Sequence, residues 1–284
     1  MRAHFIVRLG LAAVATALAS PLGAQLPLSV AKSSGQTVTP AFEGWYRNPD
    51  GTFSISFGYH NRNAEEVVSV PIGVANRVEP GPPNQGQPTE FQPGRHWGVF
   101  AVKVPADFGS KEITWTVAVR GATYAIPGNL PASWQIDALD GEAGSGNTPP
   151  VLTFEPNGRE GRGPLGTTAG PVSAAVATPV TLTVWARDDG KPAGGVGRAG
   201  RGGVPVTLTW FPHQYSAAAG RGGVTFNPAS ATVNVTGGEA RTQATFDAPG
   251  EYVVRVRAND ASGVAGAGHA QCCWTNGFVR VVVK

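Results

Sequence analysis

From Phe246 to Asp260 the chain carries a turn that feeds a run with a period of two. Pro249 and Gly250 supply the bend, because Pro fixes φ and Gly tolerates values closed to other residues. Beyond it Tyr252, Val254, Val256 and Ala258 alternate with Val253, Arg255, Arg257 and Asn259. Side chains on a strand point to opposite faces in turn, so one face is apolar and the other polar. The pattern predicts a strand in an antiparallel sheet that is packed on one side and wet on the other.

Little in the chain argues for helices. Gly (39) and Pro (24) together exceed a fifth of the 284 residues, which favours short strands joined by many turns. The one continuous apolar stretch, Leu9 to Ala19, follows Arg2 and Arg8 and precedes a small-residue segment ending at Ala24. That order predicts a cleavable secretory signal over residues 1–24 and an exported protein, periplasmic, extracellular or at the cell surface. Gln rather than Cys follows Ala24, so no lipid anchor is expected, and no later run has the length of a membrane span. Without Arg2 and Arg8 the 22 basic residues nearly balance the 19 acidic ones. Such a balance argues against nucleic acid as a partner, since backbone binding needs a positive field.

Residues 25–39 read as an extended leader and 40–140 as a first β-sandwich of no assigned family. Asn48, Pro49, Asp50 and Gly51 form a turn tetrad that joins Phe42–Tyr46 to a strand alternating Phe53, Ile55, Phe57 and Tyr59. Glu66–Val70 predicts a short strand, and Pro80–Pro93 a long loop. Alternating runs follow at Phe100–Val104 and Ile113–Val119, and Ala122–Ile126 adds a last strand. Near strand ends and loops stand His60, Arg95, His96 and Trp97. Polar and aromatic groups held there by a rigid scaffold suit contact with a glycan or peptide, or they satisfy local backbone groups.

Residues 141–149 have the composition of a flexible Gly/Ser/Pro linker. Strands are expected next at Val180–Arg187, Val204–Trp210, Val224–Phe226, Ala231–Val235, Ala244–Phe246, Tyr252–Ala258 and Phe278–Val283. Tyr252, just after its turn, resembles the tyrosine corner of immunoglobulin-like sandwiches. The order Asn147–Val151, then Val180–Thr183 ending in Asp188-Asp189-Gly190, then Thr207–Trp210, then Ala244–Asp260, resembles the polycystic-kidney-disease-like (PKD-like) family of bacterial secreted proteins. The resemblance covers residues 147–284, with a domain at 150–284, and implies a non-catalytic extracellular spacer or interaction module. Gly-rich insertions at 194–203, 217–223 and 263–271 depart from it.

Cys272 and Cys273 are adjacent. Neighbouring Cα atoms stand about 3.8 Å apart, closer than the usual disulfide span of about 4.4–6.8 Å. Four states remain open: buried thiols, a vicinal disulfide, intermolecular bridges, or a soft-metal site in which His269 joins the two sulfurs. Asp188, Asp189, Asn259 and Asp260 sit at turn ends and offer oxygens to Ca²⁺, without the spaced pattern of a calcium loop. Gly-Arg-Gly triplets around Arg162, Arg201 and Arg221 read as surface loops or a basic rim for an acidic polysaccharide. Nucleophile elbows, zinc-protease helices and Gly-rich phosphate loops followed by Lys are missing from the sequence, and no catalytic residue or obligatory cofactor is expected.

The sequence therefore predicts an all-β protein of two tandem immunoglobulin-like antiparallel sandwiches behind a signal peptide. It predicts a non-enzymatic binding, adhesion or spacer module whose partner is a surface or extracellular protein or polysaccharide. The alternative is a carbohydrate- or metal-binding accessory protein that uses His96 and Trp97 or Cys272 and Cys273, with Tyr252 structural in either case.

Overall fold

The computed structural model describes residues 32–139, 146–191, 205–216, 222–260 and 272–284. The predicted signal peptide, residues 25–31 of the leader, His269 and the greater part of the Gly-rich insertions lie outside them. Among the described residues no helix is long and apolar enough to cross a membrane.

The Asn48–Gly51 turn forms as the sequence requires. Asn48 N–H donates to Thr52 O, Gly51 N–H donates to Asn48 O, and Gly51 takes a positive φ of 83°. It joins β1 (Val38–Arg47) to β2 (Phe53–Asn61), antiparallel from Arg47↔Phe53 to Val38↔Asn61 with a bulge at Phe42/Gly44. Three short or edge strands follow the hairpin: β3 (Val68–Ser69), β4 (Asn76–Glu79) and β5 (Glu90–Phe91). The half is completed by β6 (Gly94–Val104), β7 (Ile113–Val119) and β8 (Ala122–Gly128). The sheets run β1-β2-β6 and β4-β7-β8, with β3-β5 as a separate pair. Between them lies an aromatic core. Phe57 stacks on Phe100 at 5.4 Å, and Trp115 meets Phe100 edge-on at 5.0 Å. The buried indole N–H of Trp115 donates to Asn76 Oδ1 at 3.0 Å, so the ring costs no orphaned donor.

The second half is built from β9 (Val151–Thr153), β10 (Thr167–Ala174), β11 (Val180–Arg187), β12 (Val206–Ser216) and β13 (Val224–Asn227). It continues through β14 (Ser230–Val233), β15 (Gly238–Phe246), β16 (Gly250–Asn259) and β17 (Trp274–Val283). Two sheets, ordered β10-β17-β16-β12-β14 and β13-β15-β11-β9, enclose Leu182, Val184, Leu208, Trp210, Phe246 and Val254. The Tyr252 hydroxyl donates back to Ala248 O at 2.8 Å, which ties the turn at Pro249 to the strand that leaves it. The protein is all-β, with two stacked-sheet sandwiches of immunoglobulin-like architecture.

Three features differ from the sequence reading. The pairing is not purely antiparallel: β10 runs parallel to β17, from Thr167↔Gly277 to Ala174↔Val283. The Gly170-Pro171 step interrupts β10 with a register shift between Ala169 and Val172, and this broken alternation hides the strand from a period-two search. Asn147 to Val151, expected as the end of a loose linker and the entry to a strand, are packed in: Asn147 is fully buried and donates to Asp260 Oδ2 at 2.7 Å. Most consequentially, the polar face of β16 is not wet. Arg255 is 2% exposed and Asn259 7% exposed.

Candidate functional site

What covers the polar face of β16 is the first sandwich. Side chains there stand in rows across three strands, because β16 pairs with β12 (Phe211↔Arg255) and with β17 (Arg255↔Phe278, Arg257↔Asn276). The Arg255 guanidinium lies over the Phe211 ring at 4.6 Å, with Arg257 over the same ring at 5.2 Å. Arg257 Nε donates to Asn259 Oδ1 and Arg255 Nη1 to Asn276 Oδ1. From the other side β2 and β6 present Tyr59 and His96, stacked at 4.8 Å, and the His96 ring meets Phe211 edge-on at 6.0 Å.

Hydrogen bonds fasten this seam at two places. At one, Thr89 N–H donates to His213 O and Tyr215 N–H to Thr89 Oγ1. His213 donates from Nε2 to Gly86 O at 2.8 Å, and Gln214 donates from Nε2 to Gln87 O at 2.6 Å. At the other, β17 reaches into β6. Asn276 Nδ2 shares its hydrogens among Gly98 O, Pro164 O and, more distantly, Val99 O, and Trp274 Nε1 donates to Gly98 O at 3.4 Å. Gly98 has φ of 44°, and a Cβ built there would overlap the Trp274 ring, so glycine alone permits this approach. A small apolar satellite of Tyr46, Ile136 and Ala138 with Leu165 extends the junction, and the Tyr46 hydroxyl accepts from Leu165 N–H.

Burial sets the protonation of the seam. It holds His96 down to about 4 and His213 to about 3, helped by the Arg255 charge nearby, so both rings are neutral at pH 7. Burial and the adjacent Arg257 pull Arg255 down to about 9. It keeps its proton at neutrality.

The residues singled out from sequence do not converge. His60 is exposed on β2, opposite Arg95 in the ladder. Arg95 turns to the other face of β6 from His96, where Nη2 donates to the buried Glu43 at 2.5 Å while the guanidinium covers the Trp97 ring at 3.8 Å. That face of Trp97 is therefore occupied. Burial pushes the Glu43 carboxyl up to about 7, against the pull of Arg95. Only His96 of the four enters the seam.

Cys272 and Cys273 are joined to each other, with Cα atoms 3.4 Å apart and both residues buried. They lie just before β17 rather than on it, and Cys273 takes a φ of 134°, which a regular strand does not allow. Their sulfurs contact Asn147 O at 3.6 and 3.5 Å. A disulfide has no thiolate to offer a soft metal. Around this corner Asp189 Oδ2 accepts from Thr148, and Asp188 Oδ2 accepts from Gly190 N–H at 3.0 Å. Burial raises the Asp188 carboxyl to about 6, opposed by the Gly190 bond and reinforced by Asp260. Among the described residues no group of three His, Cys, Asp or Glu is placed to hold a metal ion.

Sequence reasoning passed over Arg255, Arg257, Phe211, Trp274, Asn276 and Gly98. The one local sign is a pair of arginines at successive outward positions of an otherwise β-branched strand, a pattern that solvent exposure explains equally well. Two clefts flank the seam, one of about 900 Å³ with Glu90, Gln214, Glu251 and Arg280 in its wall, the other of about 800 Å³ with Arg47, Asp50, Lys103 and Arg162.

No protein-family model and no curated protein matches the chain. Solved structures similar to it include domains 4 and 5 of the S-layer protein SbsC, at 12% identity, covering 87% of this chain and 98% of that one with a TM-score of 0.22. The D00-D0 domain of intimin is another, at 15% identity, 87% and 100% coverage and a TM-score of 0.24.

Proposed function

We propose that this is an exported, non-enzymatic module that acts at the cell surface or in the periplasm by holding two β-sandwiches in a fixed mutual arrangement. The observation that carries this reading is the seam. Its hydrogen bonds run between backbone and side chains on both sides, at Thr89, His213 and Gln214 and again at Gly98, Trp274 and Asn276. Links at two separated places restrain rotation, which suits a rigid spacer or adhesion element better than two beads on a string. The two clefts at its margins offer charged walls to an extracellular protein or polysaccharide, and 150–284 takes the role of a PKD-like domain. Small-angle scattering of the purified protein tests the arrangement, with a glycan array and metal analysis alongside. A single compact distance distribution is expected, without stoichiometric metal. A broad distribution from independently moving sandwiches, or turnover of a glycan, would overturn the reading.

A further inference from the structure

The seam has more donors than acceptors. Among the described residues, Arg255 Nε, Gln92 Nε2 and Asn259 Nδ2 are buried and find no hydrogen-bond partner. Arg255 as a whole is 2% exposed. Two cations share one aromatic ring, Phe211, and burial, followed by the neighbouring Arg257 charge, loosens the hold of Arg255 on its proton. Among the described residues neither guanidinium has a carboxylate partner. Their hydrogen-bond acceptors are the neutral amides Asn276 and Asn259. The Arg255 and Arg257 charges both reach Tyr59; burial raises its hydroxyl well above the usual tyrosine range, so it brings no negative charge. Its oxygen accepts from Gln92 N–H at 2.9 Å, which leaves its own hydrogen to donate and places the Gln92 backbone beside the ring. His96, also neutral, directs Nε2 to Pro93 O. Glu90, whose charge reaches Tyr59, is engaged by the Ser69 hydroxyl at 2.6 Å.

An uncompensated buried charge costs several kcal/mol, and unpaired buried donors add to that. Proteins meet this cost by pairing the charge, and among the described residues no carboxylate pairs with either guanidinium. We propose that the seam between the sandwiches binds a small inorganic anion of halide size, held by Arg255 and Arg257 with Tyr59 and Gln92 completing the donor set. The anion is then part of the joint, and the docking of the two halves depends on it. This assignment does not rest on the spacer reading; an anion-dependent joint would serve an enzyme or a lectin equally.

Chloride is the probe. Thermal unfolding is followed as sodium chloride is raised from 10 to 300 mM, with sodium gluconate at matched ionic strength as the bulky control. The expected result is a saturating rise of about 2–4 °C in chloride over gluconate, lost in Arg255→Met. Gln92→Ala, which leaves both guanidiniums in place, is expected to weaken the chloride response about threefold and serves if Arg255→Met does not fold. A crystal grown with bromide is expected to show an anomalous peak within hydrogen-bonding distance of Arg255. Identical melting in the two salts, a chloride response unchanged in both variants, or water alone at the seam would each overturn the proposal.

Discussion

The two faces of β16 are both buried, and for opposite reasons. On the inner face Tyr252, Val254, Val256 and Ala258 leave water for an aliphatic and aromatic core, a gain that grows with apolar area and needs no particular angle. On the outer face Arg255 and Arg257 are received by the Phe211 ring and the Asn276 and Asn259 amides of their own sheet, and His96 of the first sandwich closes over Phe211. The inner face makes the sandwich fold. The outer face decides what the sandwich docks against, since polar groups tolerate burial only beside matching partners.

The sharpest way to break the contrast is at the core. Phe246 is fully buried and meets Tyr252 at 4.7 Å; Phe246→Ala is expected to cost about 3–5 kcal/mol and to unfold the second sandwich in denaturant titrations. Asn276→Ala leaves Gly98 O and Pro164 O without their amide donor. A loss of about 2–3 kcal/mol is expected, and scattering should show separated sandwiches that each keep their near-native circular dichroism. If the loss instead unfolded the second sandwich outright, the seam would be a core and not a joint.

Protonation gives a smaller effect. His213 stays neutral in the fold, with its pKa held to about 3, while in the unfolded chain it titrates at its ordinary value near 6.5. Its contribution to stability is thus fully present above about pH 6.5 and is lost as pH falls from there toward the folded value. His213→Gln keeps a donor for Gly86 O and removes the titration. The stability gap between wild type and variant should therefore shift against the wild type by about 1.4 kcal/mol per pH unit below 6.5. A gap independent of pH would place His213 in contact with solvent. The smallest effect belongs to Tyr252→Phe, which removes one hydrogen bond to Ala248 O and should lower stability by about 1 kcal/mol while leaving any ligand binding intact.

Much of the fold is legible in the sequence because strands and turns are local. Phe53 to Tyr59 alternates over one hairpin, and Asn48 to Gly51 carries the turn chemistry within four residues. The junction is not local. Gly98 and Trp274 are 176 residues apart, and neither has an unusual neighbourhood in the chain. An arginine on the outer face of a strand reads as solvated unless something is known to cover it, so the wet face assigned to β16 was the natural expectation and the wrong one. His96 was placed among its sequence neighbours Arg95 and Trp97, yet strand alternation sends it to the opposite side. Adjacent cysteines leave four chemical states open, and the folded structure, which joins Cys272 to Cys273, selects the vicinal disulfide.

The fit of Trp274 against Gly98 has a consequence for how such proteins diverge. Neither position is free to drift alone: a side chain at 98 collides with the indole, and a smaller ring at 274 opens a void beside a backbone held at positive φ. Across relatives, the two columns are expected to change together or not at all, and the paired change would mark lineages in which the sandwiches meet at a different angle.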